Sequence, residues 1–183
     1  EFNVIAFGTD QHELFALPMR NSKANLNKAF EFVTKQRATR GNTNLLTVLK
    51  PFIMLDGDET TNNNFVLISD GHLNDENELV KLFSRENQST TSNRIFSCSL
   101  GDYANNYLLK LISSKSGACY EKFDLSQQSK WKAKSIDIMN KLCQPNAIRN
   151  VSIEWQNERE EDREFKSPAK IRSLFNGRRV VAY

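Results

Sequence analysis

Phe65-Val66-Leu67-Ile68-Ser69-Asp70-Gly71 is the stretch that decides how this chain folds. Four apolar residues stand in a row without polar alternation. That pattern suits a strand covered on both faces, as in a parallel α/β sheet. The run stops at a carboxylate and a glycine. Open α/β sheets bind ligands outside the carboxyl ends of their strands, so Asp70 falls where a binding group belongs. An isolated Asp-Gly is an ordinary turn; the fully apolar run before it is what distinguishes this one. A second polar loop, Arg40-Gly41-Asn42-Thr43-Asn44-Leu45, lies upstream and is expected at the same edge.

The segments on either side alternate between strand and helix patterns. Phe2 to Phe7 reads as a strand stopped by Gly8, and Glu13 to Leu17 as a second one ended by Pro18. From Asn21 to Arg37 the spacing of Leu26, Ala29, Phe30 and Val33 predicts one apolar helix face, with Ser22 as its cap. A helix follows from Leu45, capped by Thr43 or Asn44, with Pro51 inside it or breaking it. Beyond the central strand come a helix over 75–83, a strand over 94–101, a helix over 105–114, a strand over 118–123 and a helix over 129–142 capped by Ser126 or Ser129. Strands alternating with helices of this length imply a doubly wound, mostly parallel sheet. After Pro145 the texture changes, and Val151-Ser152-Ile153-Glu154-Trp155 alternates with period two. Residues 1–146 are expected to form the α/β domain and 147–183 the beginning of a β-rich domain.

Composition excludes several classes. The chain has 183 residues, 39% hydrophobic and 26% charged, as a globular protein does. No stretch approaches the roughly 20 apolar residues of a membrane span. Net charge is +3, from 25 basic and 22 acidic side chains. That balance, without a basic aromatic stripe, argues against direct nucleic-acid contact. Cys98, Cys119 and Cys143 fit no metal or redox spacing; the first two read as small core residues and point to a reducing compartment. The sequons at Asn87 and Asn150 are short enough to arise by chance. No nucleophile elbow, phosphate loop or His/Cys cluster occurs, so no catalytic residue is assigned.

The order strand with Phe7-Gly8, helix, Gly41-Asn42-Thr43-Asn44-Leu45, strand ending Ile68-Ser69-Asp70-Gly71, strand ending Ser99-Leu100-Gly101 resembles the von Willebrand factor A domain. Asn42 stands where that family usually has a second glycine, and Ser69 where it has threonine. Within the family, Phe7-Gly8-Thr9, Glu13-Leu14-Phe15, Ser69-Asp70-Gly71-His72-Leu73 and Val151-Ser152-Ile153-Glu154-Trp155 are most similar to the A domains of vault-type poly(ADP-ribose) polymerases. Inter-α-trypsin inhibitor heavy chains share that domain order.

The resemblance implies a Rossmann-like fold and a metal-dependent adhesion site at the strand edge. Thr43 and Asp70 would be its Mg²⁺ ligands, and an open position would accept an acidic side chain from a protein partner. Gly8, Asn42, Asn44, Gly71 and His72 would line the partner-binding edge; a lone His after a turn, like His72, is more commonly a surface or packing residue. The family's first strand and its Asp-x-Ser-x-Ser loop have no counterpart here. They are expected upstream of Glu1, which makes this chain an excerpt whose metal site is incomplete. The parent protein would act in the cytoplasm or nucleus with vault particle proteins, and any NAD⁺-dependent ADP-ribosyltransferase activity would lie in another domain. A secreted matrix- or protease-binding protein and a ribonucleoprotein-associated A domain are the alternatives.

Overall fold

The computed structural model describes residues 1–37, 42–54, 63–84, 93–144, 174–175 and 181. The chain divides into two compact units, Glu1–Leu55 with His72–Leu79, and Asp56–Gly71 with Val80–Tyr183.

The first unit opens with a hairpin. β1 (Ile5–Phe7) pairs antiparallel with β2 (Gln11–Glu13), Ile5 opposite Glu13 and Phe7 opposite Gln11. The turn is tight, with the Gly8 N–H donating to the Asp10 carbonyl at 2.9 Å. This immediate return draws the second strand to Gln11–Glu13, upstream of the expected Glu13–Leu17. Beyond it the side chain of Asn3 takes over the pairing: its Nδ2 donates to the Phe15 carbonyl at 2.8 Å and its Oδ1 accepts the Phe15 N–H at 3.1 Å. α1 (Lys23–Lys35) begins as expected, Ser22 Oγ accepting the Asn25 N–H. Its apolar face is not covered: Ala29 is buried, but Leu26, Phe30 and Val33 are 49%, 72% and 56% exposed. Helical spacing decides which residues share a face, and only a neighbour decides whether that face is dry. α2 (Leu45–Met54) carries Pro51 within it and buries Leu45, Val48 and Leu49.

The second unit is a parallel sheet in the order β3 (Asn64–Ser69), β4 (Arg94–Leu100), β5 (Tyr120–Phe123). α3 (Glu76–Ser84) follows β3 in sequence, with Glu76–Leu79 in the first unit and Val80–Ser84 in the second; Leu79 and Phe83 are buried on it. α4 (Asn106–Lys115) links β4 to β5 and packs against both. As the spacing predicts, Leu108, Leu109 and Ile112 are fully buried. α5 (Trp131–Cys143) follows a 3₁₀ turn at Leu125–Lys130. Its cap position holds Lys130 with no side-chain bond, not Ser126 or Ser129. The interposed turn shifts the helix start past both serines.

A core of Phe96, Cys98, Ala118, Phe123, Ile138 and Phe175 fills one side of this sheet. Phe175 packs edge-on against Phe96 with ring centroids 6.0 Å apart. Burial, then the charge of Glu121, pushes the Cys98 thiol up to about 11, so it stays a neutral core group, as expected from the sequence. Cys119 packs beside it, and Cys143 is exposed. At the opposite end of the strands Arg94 is buried. Its Nε donates to Asn64 Oδ1 at 2.7 Å, and its Nη2 to the carbonyls of Leu142 and Gln144 at 3.3 and 3.2 Å.

β3 departs from expectation. The apolar run predicts cover on both faces, yet Val66 and Ile68 are 43% and 56% exposed while Leu67 is buried. Among the described residues β3 is an edge strand with β4 as its one neighbour, which leaves alternate side chains half in water. The expected module over 147–183 and the sequons lie outside the described residues, apart from 174–175 and 181.

Candidate functional site

The carboxyl end of β3 and the loop before α2 hold the groups singled out in the sequence. Asp70 and Gly71 belong to the second unit; Gly8, Asn42, Thr43, Asn44 and His72 belong to the first.

In the first unit the loop before α2 is fastened on both sides. Thr9 Oγ1 accepts the Asn42 N–H at 3.0 Å, and the Gly8 carbonyl accepts the Asn44 N–H at 3.2 Å. From the other side the Asn74 N–H donates to the Thr43 carbonyl at 3.1 Å, and Asp75 Oδ2 accepts the Leu46 N–H at 2.5 Å. The cap oxygen at the second residue of α2 thus comes from a carboxylate far along the chain, where Thr43 or Asn44 was expected to supply it. These bonds occupy the backbone and the side chains of Thr9 and Asp75. The Thr43 hydroxyl makes no hydrogen bond among the described residues. It is a small oxygen donor on a fixed mount, half-buried, of the type that ligates a hard cation or bonds a carboxylate. Gly8 and Asn42 meet as the sequence suggested: a Cβ on Gly8 would lie 3.7 Å from the Asn42 carbonyl oxygen. His72 is exposed.

In the second unit Asp70 is exposed at the strand end, and its backbone is held from two directions. Ser69 Oγ accepts the Gly71 N–H at 3.0 Å, and the Asp70 carbonyl accepts the Asn105 N–H at 2.7 Å. Asn105 also caps α4, its Oδ1 accepting the Leu108 N–H. Gly71 has φ +76°, and a Cβ there would lie 2.8 Å from the Asn105 carbonyl oxygen. Glycine is required on both counts. Behind this turn runs a chain of hydroxyls: Ser99 Oγ and Tyr120 Oη are 2.8 Å apart, and Tyr120 Oη donates to Asn106 Oδ1 at 2.6 Å. Nearby at the end of β5, a hydrogen bond to Asp124 raises the pKa of Lys122.

Neither Asn105 nor Asp75 was singled out as a site residue from the sequence. Asn105 carried a signal, since an Asn before an apolar helical period reads as a cap. Asp75 precedes α3 and reads as a cap for its own helix, so nothing local announces that its side chain serves α2.

The donor set does not by itself fit Mg²⁺. That ion wants six oxygens in near-octahedral array, and Thr43 and Asp70 supply two. Among the described residues no group of three or more His, Cys, Asp or Glu side chains could hold a metal ion. No helix among them is long and apolar enough to cross a membrane.

The sequence model of the von Willebrand factor type A domain matches residues 1–121. The chain is 32% identical to human protein mono-ADP-ribosyltransferase PARP4 and 31% to the mouse protein, over 99% of its own length but 10% and 9% of theirs. A von Willebrand factor A domain-containing protein of Dictyostelium discoideum is 25% identical over 100% of the chain and 19% of that protein. The chain therefore spans about a tenth of the length of the PARP4 relatives. Among solved structures, mussel byssus proximal thread matrix protein 1 superposes with a TM-score of 0.50 at 20% identity, covering 75% of this chain and 34% of that one, which bears on the fold alone.

Proposed function

Because the chain belongs to the von Willebrand factor type A domain family, we propose that it serves as a non-catalytic protein-interaction module in which Thr43 and Asp70 supply the recognition chemistry. The observation that carries this reading is the Thr43 mount. Four hydrogen bonds fix residues 42–46 and leave the threonine hydroxyl uncommitted among the described residues. Fixed polar groups pay less entropy on binding than mobile ones. A carboxylate on the partner matches a hydroxyl donor directly. With Mg²⁺ bound, the ion would supply the positive charge that accepts that carboxylate. In this reading the Thr43 hydroxyl is one of its ligands, and substitution of Asp70 tests that carboxylate for the same role.

An array of peptides carrying single Asp or Glu residues, probed in Mg²⁺ and then in EDTA, tests the reading. Binding should fall at least about tenfold with Thr43→Ala or Asp70→Ala, a loss of about 1.4 kcal/mol. Binding unchanged in both variants overturns the assignment of these residues. Calorimetric titration of Mg²⁺ into a longer polypeptide, with Asp70→Ala as control, tests the metal; equal heats would rule it out.

The likeness to PARP4 supports a parent protein with ADP-ribosyltransferase chemistry, and hence NAD⁺, in another domain. It also supports vault particle proteins as partners and a cytoplasmic or nuclear setting. Cys98 and Cys119, placed as small core residues, favour that setting over a secreted one. Mass spectrometry of the intact parent protein is the check: glycans at Asn87 would favour the secreted alternative.

A further inference from the structure

We infer that Asp75 is the positioning residue of the Thr43 loop, acting through the first turn of α2. The inference rests on reading that loop as part of a partner-binding surface.

An aspartate just before a helix ordinarily turns its carboxylate onto its own first turn. The backbone of Asp75 does begin α3, its carbonyl accepting the N–H groups of Glu78 and Leu79 at 3.1 and 2.9 Å. Its side chain goes elsewhere. Oδ2 takes the Leu46 N–H, one of the donors that the start of α2 leaves without an intrahelical partner. The carboxylate therefore sits at the positive end of α2, where a negative charge is favoured. Oδ1 is buried and makes no hydrogen bond among the described residues. A buried acceptor left unpaired costs stability, so this arrangement is not the one that stability alone would select.

What the carboxylate gains is control over a short loop. Leu46 lies three residues after Thr43, and the Asn74 N–H beside Asp75 grips the Thr43 carbonyl itself. Two adjacent residues thus hold the same loop, one through its backbone and one through its side chain. Gly8 and Thr9 hold it from the far side. Of the described groups that fasten residues 42–46, Asp75 alone bears a charge. Removing it frees the Leu46 end of the loop while the Gly8 and Thr9 bonds remain.

Amide hydrogen exchange of the 183-residue chain, compared among wild type, Asp75→Ala and Asp75→Asn, tests this. Asparagine keeps an acceptor oxygen for the Leu46 N–H. In Asp75→Ala the Leu46 amide should exchange about tenfold faster or more, with those of Asn44 and β4 unchanged; Asp75→Asn should recover most of the protection. Equal exchange at Leu46 in all three chains overturns the inference. If Asp75→Ala fails to fold, Asp75→Ser, whose shorter side chain stops short of the Leu46 N–H, takes its place: faster exchange at Leu46 supports the inference, and wild-type exchange there overturns it. The peptide array is scored separately. Loss of binding in Thr43→Ala without any exchange effect in Asp75→Ala defeats Asp75 and leaves Thr43 standing. An exchange effect without any binding change in Thr43→Ala does the reverse.

Discussion

Val66 and Phe96 stand opposite each other in register on β3 and β4, as do Ile68 and Cys98. Parallel pairing turns each pair to the same face of the sheet. Yet Phe96 and Cys98 are 0% and 4% exposed, while Val66 and Ile68 are 43% and 56% exposed. Both strands are apolar along this face, so composition does not separate them. Position does. β4 has a strand on each side and the Ile138 and Phe175 side chains over Phe96 and Cys98; among the described residues β3 has one neighbour, and the cover there stops short of it. An apolar run thus states what a strand demands of its surroundings, and the surroundings meet that demand strand by strand.

The sharpest way to break this comparison is truncation in each member of a pair. Phe96→Ala should cost about 3–5 kcal/mol, since the cavity opens in a filled core. Val66→Ala should cost less than about 1 kcal/mol, because the lost surface is already half wet. Urea denaturation of both variants measures the difference, and similar costs would mean that β3 is covered in solution. The next test charges the same face. Ile68→Lys should change stability by no more than about 0.5 kcal/mol, as surface substitutions do. A cost of about 2 kcal/mol or more would mean that Ile68 is covered in solution.

At the carboxyl ends the ranking of the two strands reverses. Gly71 follows β3 and Gly101 follows β4, both with positive φ, +76° and +89°. A Cβ on Gly71 meets the Asn105 carbonyl oxygen at 2.8 Å, whereas one on Gly101 has nothing within 4 Å. Gly71→Ala should therefore cost about 2 kcal/mol or more and Gly101→Ala about 1 kcal/mol. The smallest effect comes from Cys98. Its folded pKa of about 11 lies above the unfolded 9.0. The neutral thiol's contribution is complete below pH 9 and is lost as pH rises through 9 to 11. A stability–pH profile should fall in that window by about 1 kcal/mol or more, and Cys98→Ala should flatten this part of the profile.

The elements most legible in the sequence are those whose evidence is local. The period of Leu108, Leu109 and Ile112 announced the buried face of α4, and Ser22 its role as a cap for α1. Asp70-Gly71 marked a strand end that needs glycine. The failures share one cause: a contact made by something distant in sequence. The cover missing from Phe30 and Ile68, and the reach of Asp75 to Leu46, depend on which segments become neighbours. Neither periodicity nor capping preference encodes that.

Arg94 leaves a mechanical consequence. Its guanidinium clamps the carbonyls of Leu142 and Gln144, where α5 ends, to the first residue of β4, with Asn64 of β3 held by the same group. A pull arriving through the polypeptide after Gln144 is carried into two sheet strands at once and does not simply peel α5 away. Whatever load reaches the domain by that route is shared across the sheet before any helix unwinds.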